Sequence, residues 1–142
     1  MRALFDVNML LALFDRQHLF HDRAIGWWSE HRDDGWASSP ITQNGFVRVI
    51  AGPTYEHPLA LPEAVDVLHR QMAMPGHTFW PDDVSIADPA VFDHSRILGP
   101  RQLTDVYLLA LAVRNGGRLV TLDRGIPIAA VRHAERRHLV AL

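Results

Sequence analysis

Apolar positions fall into two kinds of run along the chain. The short ones, "RALFDV" at the start, "GWASSP" closed by Pro40, "HTFWP", "RLVTLD" and the C-terminal "HLVAL", read as buried strands. The longer ones carry helical spacing. "NMLLALFD" is apolar enough for a buried helix. In "HLFHDRAIGWWSEHRDD" Phe20, Ala24, Trp27, Trp28 and His31 line one face, and Gly35 ends the run. Ile41, Phe46, Val49 and Ile50 predict a helix through "ITQNGFVRVI". Pro62 opens another that runs to about Met74, where Pro75-Gly76 stops it. "ADPAVFDHSRILG" predicts a helix capped by Asp88, with Pro89 first and Gly99 as its stop. Thr104 is expected to cap a last helix over Asp105–Arg114, which "NGG" terminates. "AGPTYEHPLALP" is a loop. Strands alternate with helices, and no hairpin turn joins two strands. That order predicts an α/β fold with a parallel sheet between helical layers, in one domain over residues 1–142.

Composition adds exclusions. The chain has 142 residues, 48% hydrophobic and 21% charged, which suits a folded domain with a real core. No apolar run approaches the roughly 20 residues that cross a bilayer. The apolar start is broken by Asp6, Asp15 and Arg16 and lacks a signal-peptide pattern, so a cytoplasmic protein without a membrane partner is expected. Zero cysteines exclude disulfides and thiolate metal sites. All 14 basic residues are arginine, a bias that codon usage explains more simply than phosphate recognition. A net charge of −2 does not discriminate among partners.

The candidate chemistry lies in three aspartates. Asp6 and Asp123 each end an apolar strand, and ligands of open parallel sheets bind at the carboxyl ends of strands. Asp105 sits in the first turn of the helix preceding the Asp123 strand, which a crossover returns to the same edge. Each residue alone has a structural explanation, as a helix cap or a partner of the helix dipole. Together they form a carboxylate cluster that repels itself unless a hard cation is present, and Mg²⁺ or Mn²⁺ suits oxygen ligands and phosphate substrates. The implied reaction is metal-assisted phosphoryl chemistry.

These stretches resemble the PIN-domain ribonucleases, and in particular the VapC-type toxins of toxin–antitoxin pairs. "LFDVNMLLAL" is similar to the family's opening motif, with Asp6 and Asn8. "SSPITQNGFVRVI" is similar to the second motif, and "RQLTDVYLLALAVRNGGRLVTLDRG" to the third and fourth, with Asp105 and Asp123. The resemblance covers nearly the whole chain. It implies a three-layer α/β/α sandwich with a central parallel sheet and an acidic cleft. It also implies Mg²⁺- or Mn²⁺-dependent cleavage of RNA, often tRNA or rRNA, and inhibition by a cognate VapB-type antitoxin. Family members commonly form a homodimer and a higher hetero-oligomer with the antitoxin. One position departs: the family commonly has glutamate where this chain has Gly45. A glycine there is expected to leave room opposite the crevice for water, substrate or Asn44. Asn44 is either a neutral stand-in for the missing acid or a residue bonded to local backbone.

The supporting candidates are Asn8, Asn44, Thr104 and Thr121. Thr121 lies two residues before Asp123, on the same strand face; Asn8 orients a carboxylate or water, or caps the first helix. Asp82 and Asp83 are candidates for extra negative charge, with Asp83 more simply a cap. His18 and His21 have a metal-compatible spacing but no third ligand. Trp27 and Trp28 fit core or dimer packing better than base stacking. A catalytically degenerate PIN domain that only binds RNA or protein is the main alternative. A haloacid-dehalogenase-like phosphatase fits poorly, because Asn8 stands where its second aspartate belongs and the chain has no lysine.

Overall fold

A computed structural model describes residues 1–142. Five short strands form one sheet: β1 (Ala3–Phe5), β2 (Trp36–Ser38), β3 (His77–Phe79), β4 (Arg118–Thr121) and β5 (Leu139–Ala141). Every pairing is parallel and the order is β3-β2-β1-β4-β5. The main helices are α1 (Val7–Phe14), α2 (His21–His31), α3 (Pro40–Ile50), α4 (Leu61–Ala73) and α5 (Leu103–Arg114). The expected α/β architecture with its central parallel sheet is therefore present.

Strand alternation explains the layers. Ala3, Phe5, Trp36 and Val120 point to one face, where they pack with Met9 and Leu10 of α1, Ala24 of α2, Phe46 of α3 and Leu68 of α4. Leu4, Ala37 and Leu119 point to the other face and pack against α5. Val106 through Ala112 are all buried, so α5 is enclosed on every side. A fully buried leucine contributes about 1.5–3 kcal/mol, and α5 buries Leu108, Leu109 and Leu111. Trp27 and Trp28 are half-buried and meet the edge of Phe5, with ring centroids 6.3 and 5.5 Å away.

Chain direction sets the crevice. From β1 the chain winds outward through β2 to β3 over one face. It then crosses by α5 on the opposite face to β4, on the other side of β1. The order reverses between β1 and β4, and at such a switch point the loops leave the strand ends in opposite directions and open a cleft.

Three expectations fail. Residues 88–99 form turns, with only a one-turn 3-10 segment at His94–Arg96, instead of a helix. Asp88 and Asp93 accept hydrogen bonds from backbone N–H groups two residues on, which turns the chain away from a helix. The backbone of this segment bonds to the Ala130–Arg132 strip, and the buried Phe92 plugs into the α5 layer. Thr104 is not a cap, because α5 already begins at Leu103, after a 3-10 turn at Pro100–Gln102. Asp83 caps no helical turn; it pairs with Arg114, while Asp82 accepts the N–H of Ile41 at the start of α3.

Candidate active site

Asp6 leaves β1 extended and caps α1, its Oδ1 accepting the Met9 N–H at 2.7 Å. Its Oδ2 accepts the Thr121 hydroxyl at 2.5 Å. This contact follows from the sheet: Phe5 pairs with Val120, so the next residues, Asp6 and Thr121, lie side by side across the β1/β4 switch point. Thr121 is fully buried and its oxygen also accepts the N–H of Asp123 at 2.9 Å. One hydroxyl thus ties two of the three aspartates. Asp123 Oδ1 accepts the Gly125 N–H at 2.7 Å, a local turn that fixes the carboxylate where the chain leaves β4.

Asp105 lies half-buried in the first turn of α5. Burial pushes its carboxyl up to about 6. The Asp123 carboxylate contributes to that same rise, through repulsion and by accepting a hydrogen bond from the protonated form of Asp105. Asp6, only 4% exposed, is also pushed up to about 6, first by burial. The bonds from Thr121 and Met9 oppose that rise, while the charges of Asp105 and Asp123 add to it. The three side chains feel one another, so the crevice carries uncompensated negative charge.

A hard cation fits that donor set. No three acidic or histidine side chains close into a ready-made cage, but the groups that meet are all carboxylates, and no cationic side chain relieves Asp6 or Asp105. Oxygen donors with unrelieved charge are the chemistry that Mg²⁺ and Mn²⁺ take. His18 and His21 do not join them. His18 Nδ1 accepts the Phe20 N–H at 3.0 Å, and His21 Nδ1 donates to the Ala12 carbonyl at 2.7 Å.

The remaining candidates divide. Asn8 is exposed and lines a cavity with Asp123. Thr104 and Asn44 are exposed, and neither side chain hydrogen-bonds to the aspartates. The room expected at Gly45 is not there: a Cβ on this buried residue would collide with Cγ2 of Val7. The glycine lets α3 close onto α1, and the Val7 side chain occupies the space in front of it. Thr42 fixes the start of α3, its hydroxyl accepting the Ser39 N–H and donating to the Ser39 carbonyl. Sequence reading passed over Val7, since only the packing of two helices reveals its contact.

The sequence pattern of the PIN domain family matches residues 3–132. The chain is 51% identical to ribonuclease VapC44 of Mycobacterium tuberculosis over 142 residues, all of both chains. It is 39% identical to ribonuclease VapC39 of the same organism over 131 residues, 92% of this chain and 94% of that one. Among solved structures it resembles VapBC2 of Rickettsia felis, determined with a DNA fragment from its promoter. That match has a TM-score of 0.59 at 10% identity, covering 87% of this chain and 89% of the other. The chain belongs to the PIN-domain family and, within it, to the VapC ribonucleases.

Proposed function

We propose that the protein is an endoribonuclease toxin that hydrolyses RNA phosphodiester bonds at the Asp6–Asp105–Asp123 crevice and is inhibited by a cognate VapB-type antitoxin. The observation that carries this reading is the mutual repulsion of the three carboxylates around the β1/β4 switch point, which raises Asp6 and Asp105 together. Full-length identity to a VapC ribonuclease supports it. Asp6, Asp105 and Asp123 would together hold Mg²⁺ or Mn²⁺. A cation bound there would supply a lowered pKa for an attacking water and an offset for charge on the scissile phosphate. The chain's own residues then have distinct tasks. Asp6 is locked by Thr121 and the α1 N-terminus, so its carboxylate cannot swing away from the crevice. Thr121 holds the spacing between Asp6 and Asp123. Asn8, at the open side, orients water or substrate. The products carry 5′-phosphate and 3′-hydroxyl ends.

The substrate class is structured cellular RNA, tRNA or rRNA, presented through an unpaired loop. The working form is a cytoplasmic homodimer that joins a larger hetero-oligomer with the antitoxin, with residues 1–142 acting as one PIN domain. No helix is long and apolar enough to cross a membrane. The test is RNA-end sequencing after induced expression, compared with an Asp105→Asn variant. New 5′-phosphate ends at a defined site with the native protein alone support the reading, and identical RNA ends in both cultures contradict it. The absence of an acid at Gly45 favours one rival, a catalytically degenerate PIN domain that only binds RNA or protein; such a module gives no new RNA ends.

A further inference from the structure

A cavity of about 420 Å³ opens beside Asp123, lined by Asn8, His18, Phe20, Leu122 and Asp123 itself. We propose that this cavity is a subsite for one unpaired nucleobase of the RNA, adjacent to the phosphate that is cut. The inference rests on the ribonuclease reading above and names a part of the substrate that the acidic crevice does not bind.

The walls suit a base. The Phe20 and His18 rings lie 6.0 Å apart at 46°. The Phe20 backbone N–H donates to His18 Nδ1, so the short turn between α1 and α2 holds both rings in place. That bond occupies Nδ1 and leaves Nε2–H as a free donor toward a ligand. The Arg23 guanidinium covers Phe20 at 5.1 Å from the ring centroid, which adds positive charge to the stacking wall. Leu122 supplies an apolar surface, and the exposed Asn8 carboxamide offers a donor and an acceptor for a base edge. Arg23 is exposed and pairs with no carboxylate, so a phosphate flanking the base meets a cation beside Phe20. Leu19, between His18 and Phe20 in sequence, is 86% exposed. Aromatic and guanidinium planes on which splayed bases stack are the usual means of holding single-stranded RNA. Because Asp123 belongs to both cavity and crevice, a base in the cavity sets which phosphate reaches the carboxylates. The subsite therefore selects the cleavage position.

The probe is a synthetic RNA stem-loop carrying the cleavage site mapped in total RNA, with an abasic ribose at each loop position in turn. Cleavage by the full-length native protein with Mn²⁺ gives kcat and KM for each RNA. One abasic position next to the cut is expected to raise KM roughly tenfold with kcat little changed, as loss of stacking affects binding first. Phe20→Ala is expected to raise KM for intact RNA by a similar factor, with no further rise on that abasic RNA. Phe20→Trp, which restores a stacking plane, is expected to undo most of the KM rise in Phe20→Ala. Equal KM at every abasic position with native protein overturns the subsite without relying on any variant. So does a Phe20→Ala protein that keeps its KM and loses only antitoxin inhibition, since the cavity then serves a protein contact. Failure of the parent reading is separate: Asp105→Asn would then cut as well as the native protein.

Discussion

The hydroxyl of Thr121 donates to Asp6 Oδ2 at 2.5 Å and accepts the backbone N–H of Asp123 at 2.9 Å. It is a fully buried bridge between the two strand ends that flank the switch point. Thr121→Val keeps the shape and removes both bonds. Outer-shell partners of metal-binding carboxylates typically account for 10- to 100-fold in affinity or activity. Thr121→Val is expected to lower kcat/KM by about that much, and Thr121→Ser to recover most of it. Cleavage kinetics of the three proteins, each checked for folding by circular dichroism, measure the effect.

The raised carboxyls predict a specific pH dependence. Asp6 and Asp105 titrate near 6 when folded and near 3.8 when unfolded, so between these values the folded state holds more protons. Stability of the metal-free protein therefore falls as pH rises from about 4 to 6 and levels off above. For the buried Asp6 the shift corresponds to roughly 3 kcal/mol. Asp6→Asn is thus expected to raise the Tm of metal-free protein at pH 7.5 by several degrees and to change it little at pH 4.5. Activity should rise through pH 6 with apparent constants that belong to the coupled cluster. Thermal melts with EDTA at the two pH values give the first result.

Gly45 and Val7 predict a coupled pair. Gly45→Ala gains about 1 kcal/mol of helix propensity but places a methyl group against Val7, and overpacking typically costs about 1–3 kcal/mol. The single variant is expected to be destabilised, and adding Val7→Ala to restore most of the loss. Urea denaturation of the double-mutant cycle shows the coupling, because only residues in contact depart from additivity. Gly45→Glu alone should fold poorly for the same reason.

Much of this frame was legible in the sequence because its signals are local. Apolar runs ending at Asp6 and Asp123 mark strand ends. The helical spacing through Ile41–Ile50 marks α3, and Pro75-Gly76 and "NGG" mark the ends of α4 and α5. What was not legible depends on distant partners. Residues 88–99 carry cap residues and apolar spacing, yet their backbone bonds to Ala130–Arg132 and Phe92 is buried there. The position of Thr121 was visible, but its bond to Asp6 depends on β4 pairing beside β1. The close approach at Gly45 needs two packed helices, and the Phe20 cavity needs a turn folded against the end of β4.

Binding of Mn²⁺ by calorimetry at pH 7.5, on metal-free native protein and on Asp105→Asn, tests the central claim most directly. The claim is that three like charges at one crevice are there to hold a cation. Native protein is expected to bind Mn²⁺ with proton release, as carboxyls near 6 give up residual protons, and to gain Tm on binding. Asp105→Asn should bind at least tenfold more weakly with less proton release. Equal affinity in both proteins, or no binding by folded native protein, would contradict the account.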